Sequence, residues 1–312
     1  MIIDAHCDVL MKMYRNPLLD FNAAEPLLDV NYPLMKQGGV KIQFMAVYLP
    51  EEIKNPDVGH ILEYVDILHR RVLCNPDIVL IQSRSDLQHV LTTGKRGVLL
   101  TLEGAEGLRG SLAQLRMLYR LGLRSIGPAW NFANWAVDGA METRNGGFTL
   151  RGQQLIKESN QLGVLFDASH LSEKAFWEAA DVPGLHLFAS HSNAKSACDH
   201  PRNLTDGQIR CLIERKGMIG ITFVPWFVKK NGPVFITDLF RHIDHICSLG
   251  GEDFIGFGSD FDGIDNYIHS LENAGMYANL ANELYKHYTP VQAQKFLWQN
   301  GYAFLERSLP VS

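Results

Sequence analysis

The stretch of sequence that decides the fold is residues 164–191, VLFDASHLSEKAFWEAADVPGLHLFASH. Two short apolar runs, residues 164–167 and 185–189, flank an amphipathic stretch at residues 173–180. Ser172, directly before that stretch, is a residue type typical of helix N-caps. This order predicts a strand, a crossover helix and a second strand that runs parallel to the first.

The same alternation of apolar runs with helical patterns continues through the chain. The other predicted strands are residues 2–5, 42–49, 97–102, 124–129, 218–223 and 254–258. The other predicted helices are residues 111–121, 152–162, 205–215 and 236–248. Eight strands that alternate with helices favour a (β/α)₈ TIM barrel, and periodicity alone leaves an open, doubly wound sheet as the alternative. We expect one α/β domain, residues 1–312, with extra C-terminal helices.

Composition excludes several classes of protein. The formal net charge of -5 gives no basic patch for nucleic acid or for an anionic membrane surface. The five cysteines show no Cys-x-x-Cys spacing, which argues against a disulfide framework and fits a reducing compartment. The first residues do not resemble a signal peptide, and no run of about 18 apolar residues occurs. We therefore expect a cytoplasmic protein that binds neither nucleic acid nor membrane.

Side chains that can bind a metal ion follow the predicted strands, at the point where each strand ends. They are His6, Asp8, Glu103, His170, His191 and Asp260. Active sites of (β/α)₈ barrels are built where the carboxyl ends of the strands meet, so these side chains are expected to converge. Each of them alone has a structural alternative, such as a capping or turn residue. Six of them in this order favour a single metal centre.

The residue types indicate which metal they would bind. Imidazole and carboxylate groups are ligands that suit zinc, although other divalent ions accept the same ligands. His6 and Asp8, two residues apart on extended chain, are expected to point to the same face and to share one ion. Glu103 can bridge two ions through its two oxygens, and His170 and His191 would complete the second site. The predicted cofactor is therefore a pair of Zn²⁺ ions.

A pair of such ions predicts a hydrolase. Two metals can share a hydroxide at neutral pH, and Asp260 would then act as the general base that passes a proton to the leaving amine. No Gly-x-Ser-x-Gly elbow, Gly-x-Gly-x-x-Gly or Walker motif occurs, so nucleophilic serine chemistry and nucleotide binding lack support. Cys7 is expected to point away from His6 and Asp8 into the core.

Five segments of the sequence together resemble the membrane (renal) dipeptidase family. They are IIDAHCDVL, LLTLEGAEGL, GVLFDASHLS, FASHSNAKSACDHPRNLTD and IGFGSDFDG, in this order. The resemblance extends from the first predicted strand to about Gly263 and is looser beyond it. It implies a zinc-dependent (β/α)₈ hydrolase that cleaves dipeptides and, in some members, β-lactam-like amides. Relatives of this type are often dimers, so a homodimer is an expectation as well.

The resemblance also implies roles for single residues. It assigns the first zinc to His6 and Asp8, the bridging carboxylate to Glu103, the second zinc to His170 and His191, the catalytic aspartate to Asp260, and the grip on the substrate's carboxylate to Arg202. The role of Arg202 is physically sensible because a guanidinium group binds a carboxylate through two parallel hydrogen bonds.

One position departs from the family pattern. Mammalian members carry a substrate-polarising histidine after the fourth strand, where this sequence has Trp130. Asn131 is the neighbouring candidate for that role, and we expect both residues to contact the substrate. The departure leaves two alternatives to a dipeptidase: a binuclear metal hydrolase of another small or cyclic amide, and a catalytically weak relative that acts as a binding protein. The sequence also ends without a hydrophobic anchor signal, so no lipid anchor is expected.

Overall fold

Parallel strands form the centre of the structure, a computed structural model that describes residues 1–311. The strands are β1 (Ile2–Asp4), β2 (Val40–Tyr48), β3 (Ile78–Leu80), β4 (Arg96–Glu103), β5 (Leu123–Gly127), β6 (Leu165–Asp167), β7 (Leu187–Phe188), β8 (Ile219–Ile221) and β9 (Ile255–Phe257). Eight of these lie at the eight predicted positions. The additional strand, β3, has three residues and pairs only with the first three residues of β4, Arg96 to Val98.

The sheet closes on itself. The strands pair in the order β7, β6, β5, β4, β2, β1, β9, β8. A parallel bridge between Ala189, just after β7, and Ile219 in β8 joins the two ends of this series. The Ala189 N–H donates to the Met218 carbonyl at 2.9 Å, and the Gly220 N–H donates to the Ala189 carbonyl at 2.8 Å. The predicted (β/α)₈ barrel is therefore confirmed, and the open-sheet alternative is wrong.

Helices surround the barrel. They are α1 (Val9–Arg15), α2 (Tyr32–Gly38), α3 (Val58–Ile67), α4 (Arg84–Thr92), α5 (Leu112–Arg120), α6 (Leu150–Leu162), α7 (Glu173–Ala180), α8 (Asp206–Glu214), α9 (Pro225–Val228), α10 (Phe240–Ser248), α11 (Tyr277–His287), α12 (Pro290–Gln294) and α13 (Asn300–Ser308). The predicted helix at residues 236–248 begins with a 3₁₀ turn, Ile236–Leu239, before α10. None of the helices within residues 1–311 is long and apolar enough to cross a bilayer.

Local capping explains where several helices begin and end. The Ser172 side chain accepts a hydrogen bond from the Ala175 N–H at the start of α7. Thr205 and Gln208 form a capping box at the start of α8. Gly163 ends α6 at a φ of 68°, a left-handed conformation that glycine adopts without a steric penalty.

The extra C-terminal helices close one end of the barrel. Phe304 and Leu305 of α13 are buried in the same apolar cluster as Phe44 and Phe188, which project from β2 and β7. The rings of Phe188 and Phe304 lie 5.0 Å apart. This packing fills the barrel interior and leaves the opposite end, at the carboxyl ends of the strands, for the functional site.

Candidate metal centre

The six predicted metal-site residues meet at the carboxyl ends of the barrel strands. His6 and Asp8 follow β1, Glu103 ends β4, His170 follows β6, His191 follows β7 and Asp260 follows β9. Five of these residues are buried, and the Asp260 side chain is 17% exposed. Two sets of possible ligand atoms each lie within 4.8 Å of one another: His6 with Glu103 and His191, and His6 with Asp8 and Asp260.

Glu103 lies between two groups of side chains. Its Oε2 is 3.5 Å from His6 Nε2, whereas its Oε1 is 2.8 Å from His170 Nε2 and 3.7 Å from His191 Nε2. The Nε2 atoms of His170 and His191 are 2.9 Å apart. One oxygen of the carboxylate therefore faces His6 and the other faces His170 and His191, which is the arrangement that a bridging ligand requires.

His6 is surrounded by carboxylates with which it forms no hydrogen bond through Nε2. This atom lies 3.3 Å from Asp8 Oδ2 and 3.7 Å from Asp260 Oδ1. Both His6 Nε2 and Asp8 Oδ1 are buried, and neither has a hydrogen-bond partner among residues 1–311. Buried polar atoms without partners are costly, and a bound cation would satisfy both of these atoms. The donor set therefore fits a divalent metal ion.

The local backbone differs from the one that the sequence suggested. β1 ends at Asp4, so His6 and Asp8 are not strand residues, and Asp8 instead precedes α1 as its N-cap. A bridge between Cys7 and Phe261 continues the parallel pairing beyond the strand, which keeps His6 and Asp8 on the same side. Cys7 is fully buried in the main apolar core, as predicted.

Charge in the centre favours a cation. Burial opposes the charged form of His6, but the charges of Glu103 and Asp8 outweigh it and raise the pKa of His6 to about 10. Burial lowers the pKa of His170 and His191 well below the usual histidine value, so both remain neutral at pH 7. Neutral imidazole is the form of histidine that binds a metal.

Two buried aspartates, which were not among the predicted site residues, hold the segments that carry the histidines. Asp4 accepts hydrogen bonds from the N–H groups of His6 (3.3 Å) and Ser259 (2.8 Å). Asp167 accepts one from the Ser190 hydroxyl, whose oxygen lies 2.6 Å from His191 Nδ1. Because the Ser190 hydroxyl donates to Asp167, its oxygen accepts from His191 Nδ1, and the lone pair of His191 Nε2 is directed into the centre. The signal available in the sequence was the position of each aspartate at the end of an apolar run, since Asp4 ends β1 and Asp167 ends β6.

Arg202 is buried beside the centre without a charged partner. Its side chain lies over the Phe227 ring, with Cζ 5.6 Å from the ring centroid. Nε and Nη1 form no hydrogen bond, and no carboxylate of residues 1–311 forms an ion pair with this guanidinium. Burial lowers the pKa of Arg202 to about 10, so the group stays charged at neutral pH. A buried and unpaired guanidinium that lines a cleft is a receptor for an anion.

The cleft that contains the centre has a volume of about 260 Å³ and also includes Trp130 and Asn131. The Trp130 ring lies 6.3 Å from the His170 ring, between centroids. Asn131 Oδ1 is 3.2 Å from His170 Nδ1, a contact that orients this ring. Substrate contact by Trp130 and Asn131 stays a prediction. Three further lining residues, Tyr48, Trp226 and Phe227, were not predicted from the sequence, because only the closed barrel brings their loops together.

Comparison with known proteins connects this geometry to a family. The family model "Membrane dipeptidase (Peptidase family M19)" matches residues 1–306. The chain is 36% identical over 229 residues to an uncharacterized protein in the pqqA 5′ region of Klebsiella pneumoniae, covering 70% of this chain and 84% of that protein. It is 28% identical over 294 residues to Dipeptidase 3 of Mus musculus, covering 91% of this chain and only 59% of the mouse protein.

Solved structures are similar over nearly the whole chain. The dipeptidase AC, a metallo peptidase of family M19, has a TM-score of 0.90 and 28% identity, covering 99% of this chain and 98% of that one. A metallo peptidase from Rhodobacter sphaeroides, solved with a phosphinate mimic of the dipeptide L-Ala-D-Ala, has a TM-score of 0.89 and 26% identity. That alignment covers 98% of this chain and 99% of the Rhodobacter chain.

Proposed function

The chain belongs to the membrane dipeptidase family, a family of metallopeptidases, and on that premise we propose that it is a zinc-dependent dipeptidase. One observation carries the proposal. A carboxylate, Glu103, has its two oxygens turned toward two sets of candidate ligands, next to the unpaired guanidinium of Arg202. The centre can hold metal ions, and the guanidinium can hold the free carboxylate that every dipeptide carries.

The proposed ligands divide into two sets. His6, Asp8 and Glu103 Oε2 would hold one ion, and His170, His191 and Glu103 Oε1 would hold the other. Zinc suits this mixture of imidazole and carboxylate. Ions bound there would lower the pKa of a water molecule and polarise the substrate's carbonyl group.

Asp260 is the proposed general base. It lines the cleft, and its Oδ1 lies 3.7 Å from His6 Nε2. Burial and the nearby charge of Asp8 raise the pKa of Asp260 to about 6, close to neutral pH, where a general base works well. Its carboxylate would take a proton from the water that attacks the carbonyl carbon. It would return that proton to the amide nitrogen as the C–N bond breaks.

Arg202 supports a dipeptide over a cyclic amide. A buried charge without a partner is costly, and a substrate with a free C-terminal carboxylate would supply the missing partner. A cyclic amide without a free carboxylate would leave Arg202 unpaired. The L-Ala-D-Ala mimic bound to the similar Rhodobacter peptidase further supports a dipeptide as the substrate class.

The test compares L-Ala-D-Ala and L-Ala-L-Ala with their C-terminal amides. We expect cleavage of at least one free dipeptide, and a kcat/KM that is about 100-fold lower for its amide, because a charge-assisted pair in a buried site contributes about 3 kcal/mol. Equal cleavage of the dipeptide and its amide would show that Arg202 does not bind the substrate's carboxylate. If zinc-loaded protein cleaves no dipeptide at all, the proposed substrate class is wrong.

A further inference from the structure

A second cavity lies beside the catalytic cleft and shares two of its side chains. This cavity has a volume of about 280 Å³ and is lined by Tyr48 and Trp130, which also line the cleft. The two rings are in contact, with centroids 5.1 Å apart, so they form a common wall. Tyr48 pairs in register with Glu103 at the ends of β2 and β4, which places this wall directly next to the metal centre.

The second cavity is aromatic and acidic. Phe132, which is 52% exposed, adds a third ring to those of Tyr48 and Trp130. The charged residues that line it are Glu51 and Glu106, both acidic. The cleft, by contrast, is lined by two arginines in addition to its acidic residues. Aromatic faces and carboxylates both attract organic cations, so the second cavity favours a cation, whereas Arg202 in the cleft favours an anion.

Glu106 is the carboxylate that lies behind the common wall. Its Oε1 accepts a hydrogen bond from Asn134 Nδ2 at 2.9 Å. No lysine, arginine or histidine within residues 1–311 forms an ion pair with it. Burial raises the pKa of Glu106, which is the expected direction for a carboxylate whose charge is not compensated. A cation in the cavity would provide that compensation.

The position of Arg202 determines which part of a dipeptide faces this cavity. Arg202 lies over Phe227 and does not line the second cavity. If the C-terminal carboxylate binds Arg202 and the scissile amide lies at the metal centre, the N-terminal residue extends toward Tyr48 and Trp130. Because Tyr48 and Trp130 line both cavities, a long side chain on that residue would reach the second cavity along the edge of these rings.

We propose that the second cavity binds the cationic side chain of the substrate's N-terminal residue, so that dipeptides beginning with lysine or arginine are preferred. This inference rests on the proposed dipeptidase function. The three rings surround the alkyl part and the charged group of the side chain, and Glu106 pairs with the charge. Trp130, at the position where the sequence departs from the family pattern, thereby becomes a determinant of specificity.

The experiment measures kcat/KM for L-Lys-D-Ala and for L-norleucine-D-Ala, which has a similar alkyl chain without the ammonium group. We expect the wild-type protein to favour the lysine dipeptide by roughly tenfold. Glu106→Gln keeps an acceptor for Asn134 and removes the charge, so the lysine-to-norleucine ratio should fall toward one. The matched control is Glu214→Gln, an exposed residue at the end of α8, which should retain the wild-type ratio.

Three outcomes would contradict the inference. A lysine-to-norleucine ratio near one in the wild-type protein would mean that the cavity does not bind the charged group of the side chain. A preference that survives in Glu106→Gln would place the cation elsewhere. If agmatine, a free guanidinium compound, changes KM for the norleucine dipeptide while the ratio stays near one, the cavity takes a free cation and not the substrate. Cleavage of neither dipeptide would instead contradict the dipeptidase function itself.

Discussion

Asp260 combines a functional carboxylate with an unusual backbone. Its φ of 67° is in the left-handed region, where asparagine and aspartate are the residues most tolerated after glycine. Replacement of Gly263, three residues later, by a larger residue would also displace the Asp260 side chain, because a Cβ there would collide with the carboxylates of Asp8 and Asp260. The conformation therefore aims the Asp260 carboxylate into the cleft, and an asparagine can take the same shape without acting as a base.

Substitution of Asp260 tests the base alone. Asp260→Asn should keep the bound metal and lower kcat by about 10²- to 10⁴-fold, because the amide cannot accept a proton from the attacking water. Steady-state kinetics and metal analysis on the same preparation measure both effects. Asp265→Asn, an exposed neighbour, is the matched control and should behave as wild type. Normal turnover in Asp260→Asn would show that another group is the base.

Most of the single residues of the site could be predicted from the sequence. Six chemically suited side chains at strand ends were sufficient to indicate a metal centre, because a barrel brings strand ends together. Arg202 was identified only through the family resemblance, since one arginine in a loop has no pattern of its own. Asp4 and Asp167 were missed because their hydrogen bonds are to backbone and hydroxyl groups of other strands.

Among the elements, the loop after β9 is connected to the segment that precedes α2 by hydrogen bonds to a buried carboxylate. Asp262 accepts hydrogen bonds from the N–H groups of Asp29 (2.8 Å) and Val30 (3.0 Å). Lys12 Nζ of α1 lies 3.1 Å from Asp262 and 3.2 Å from Asp29. This network joins α1, which follows Asp8, to the loop that carries Asp260, so the two sides of the centre are held together.

Loss of this network should affect both stability and activity. Asp262→Asn leaves one of the two backbone N–H groups without an acceptor and removes a partner of Lys12. We expect the free energy of unfolding to fall by about 1–3 kcal/mol and kcat to fall as well. Urea unfolding and kinetics of the variant provide the measurements, with Asp265→Asn as the control. Unchanged stability would mean that the loop is held by other contacts.

The elements themselves were predictable to different degrees. Capping residues such as Ser172, Thr205 and Gly163 act within one turn of helix, so their signals are local and were visible in the sequence. Closure of the barrel depends on pairing between β7 and β8, and the length and position of β3 depend on β4. Such pairings are non-local, and the periodicity of a single segment contains no information about them.

For the molecule as a whole, the metal centre is a cost to folding until an ion binds. Carboxylates of three separate chain segments converge on His6, and burial raises the pKa of both Glu103 and Asp260. An ion that binds only the folded state stabilises it by about 2.7 kcal/mol at a free concentration of 100 times its Kd. The melting temperature should therefore rise with zinc and fall with a chelator.

Calorimetry with and without zinc measures this effect, and Glu103→Ala supplies the comparison. The variant lacks the carboxylate between the two ligand sets, so we expect it to bind less zinc and to show a smaller rise in melting temperature. Glu214→Gln should show the full wild-type rise. A melting temperature that does not respond to zinc in the wild-type protein, or unchanged zinc content in Glu103→Ala, would contradict the proposed ligand set.

We propose that this barrel cleaves dipeptides by means of a metal centre built at the ends of its strands. The most direct measurement follows hydrolysis of L-Ala-D-Ala by one preparation as purified, after removal of metal by a chelator, and after zinc is restored. We expect cleavage to disappear on chelation and to return with about two zinc ions per chain. Cleavage that persists in metal-free protein would show that the reaction needs no metal, and a protein with two bound zinc ions that cleaves no dipeptide would show that the substrate class is wrong.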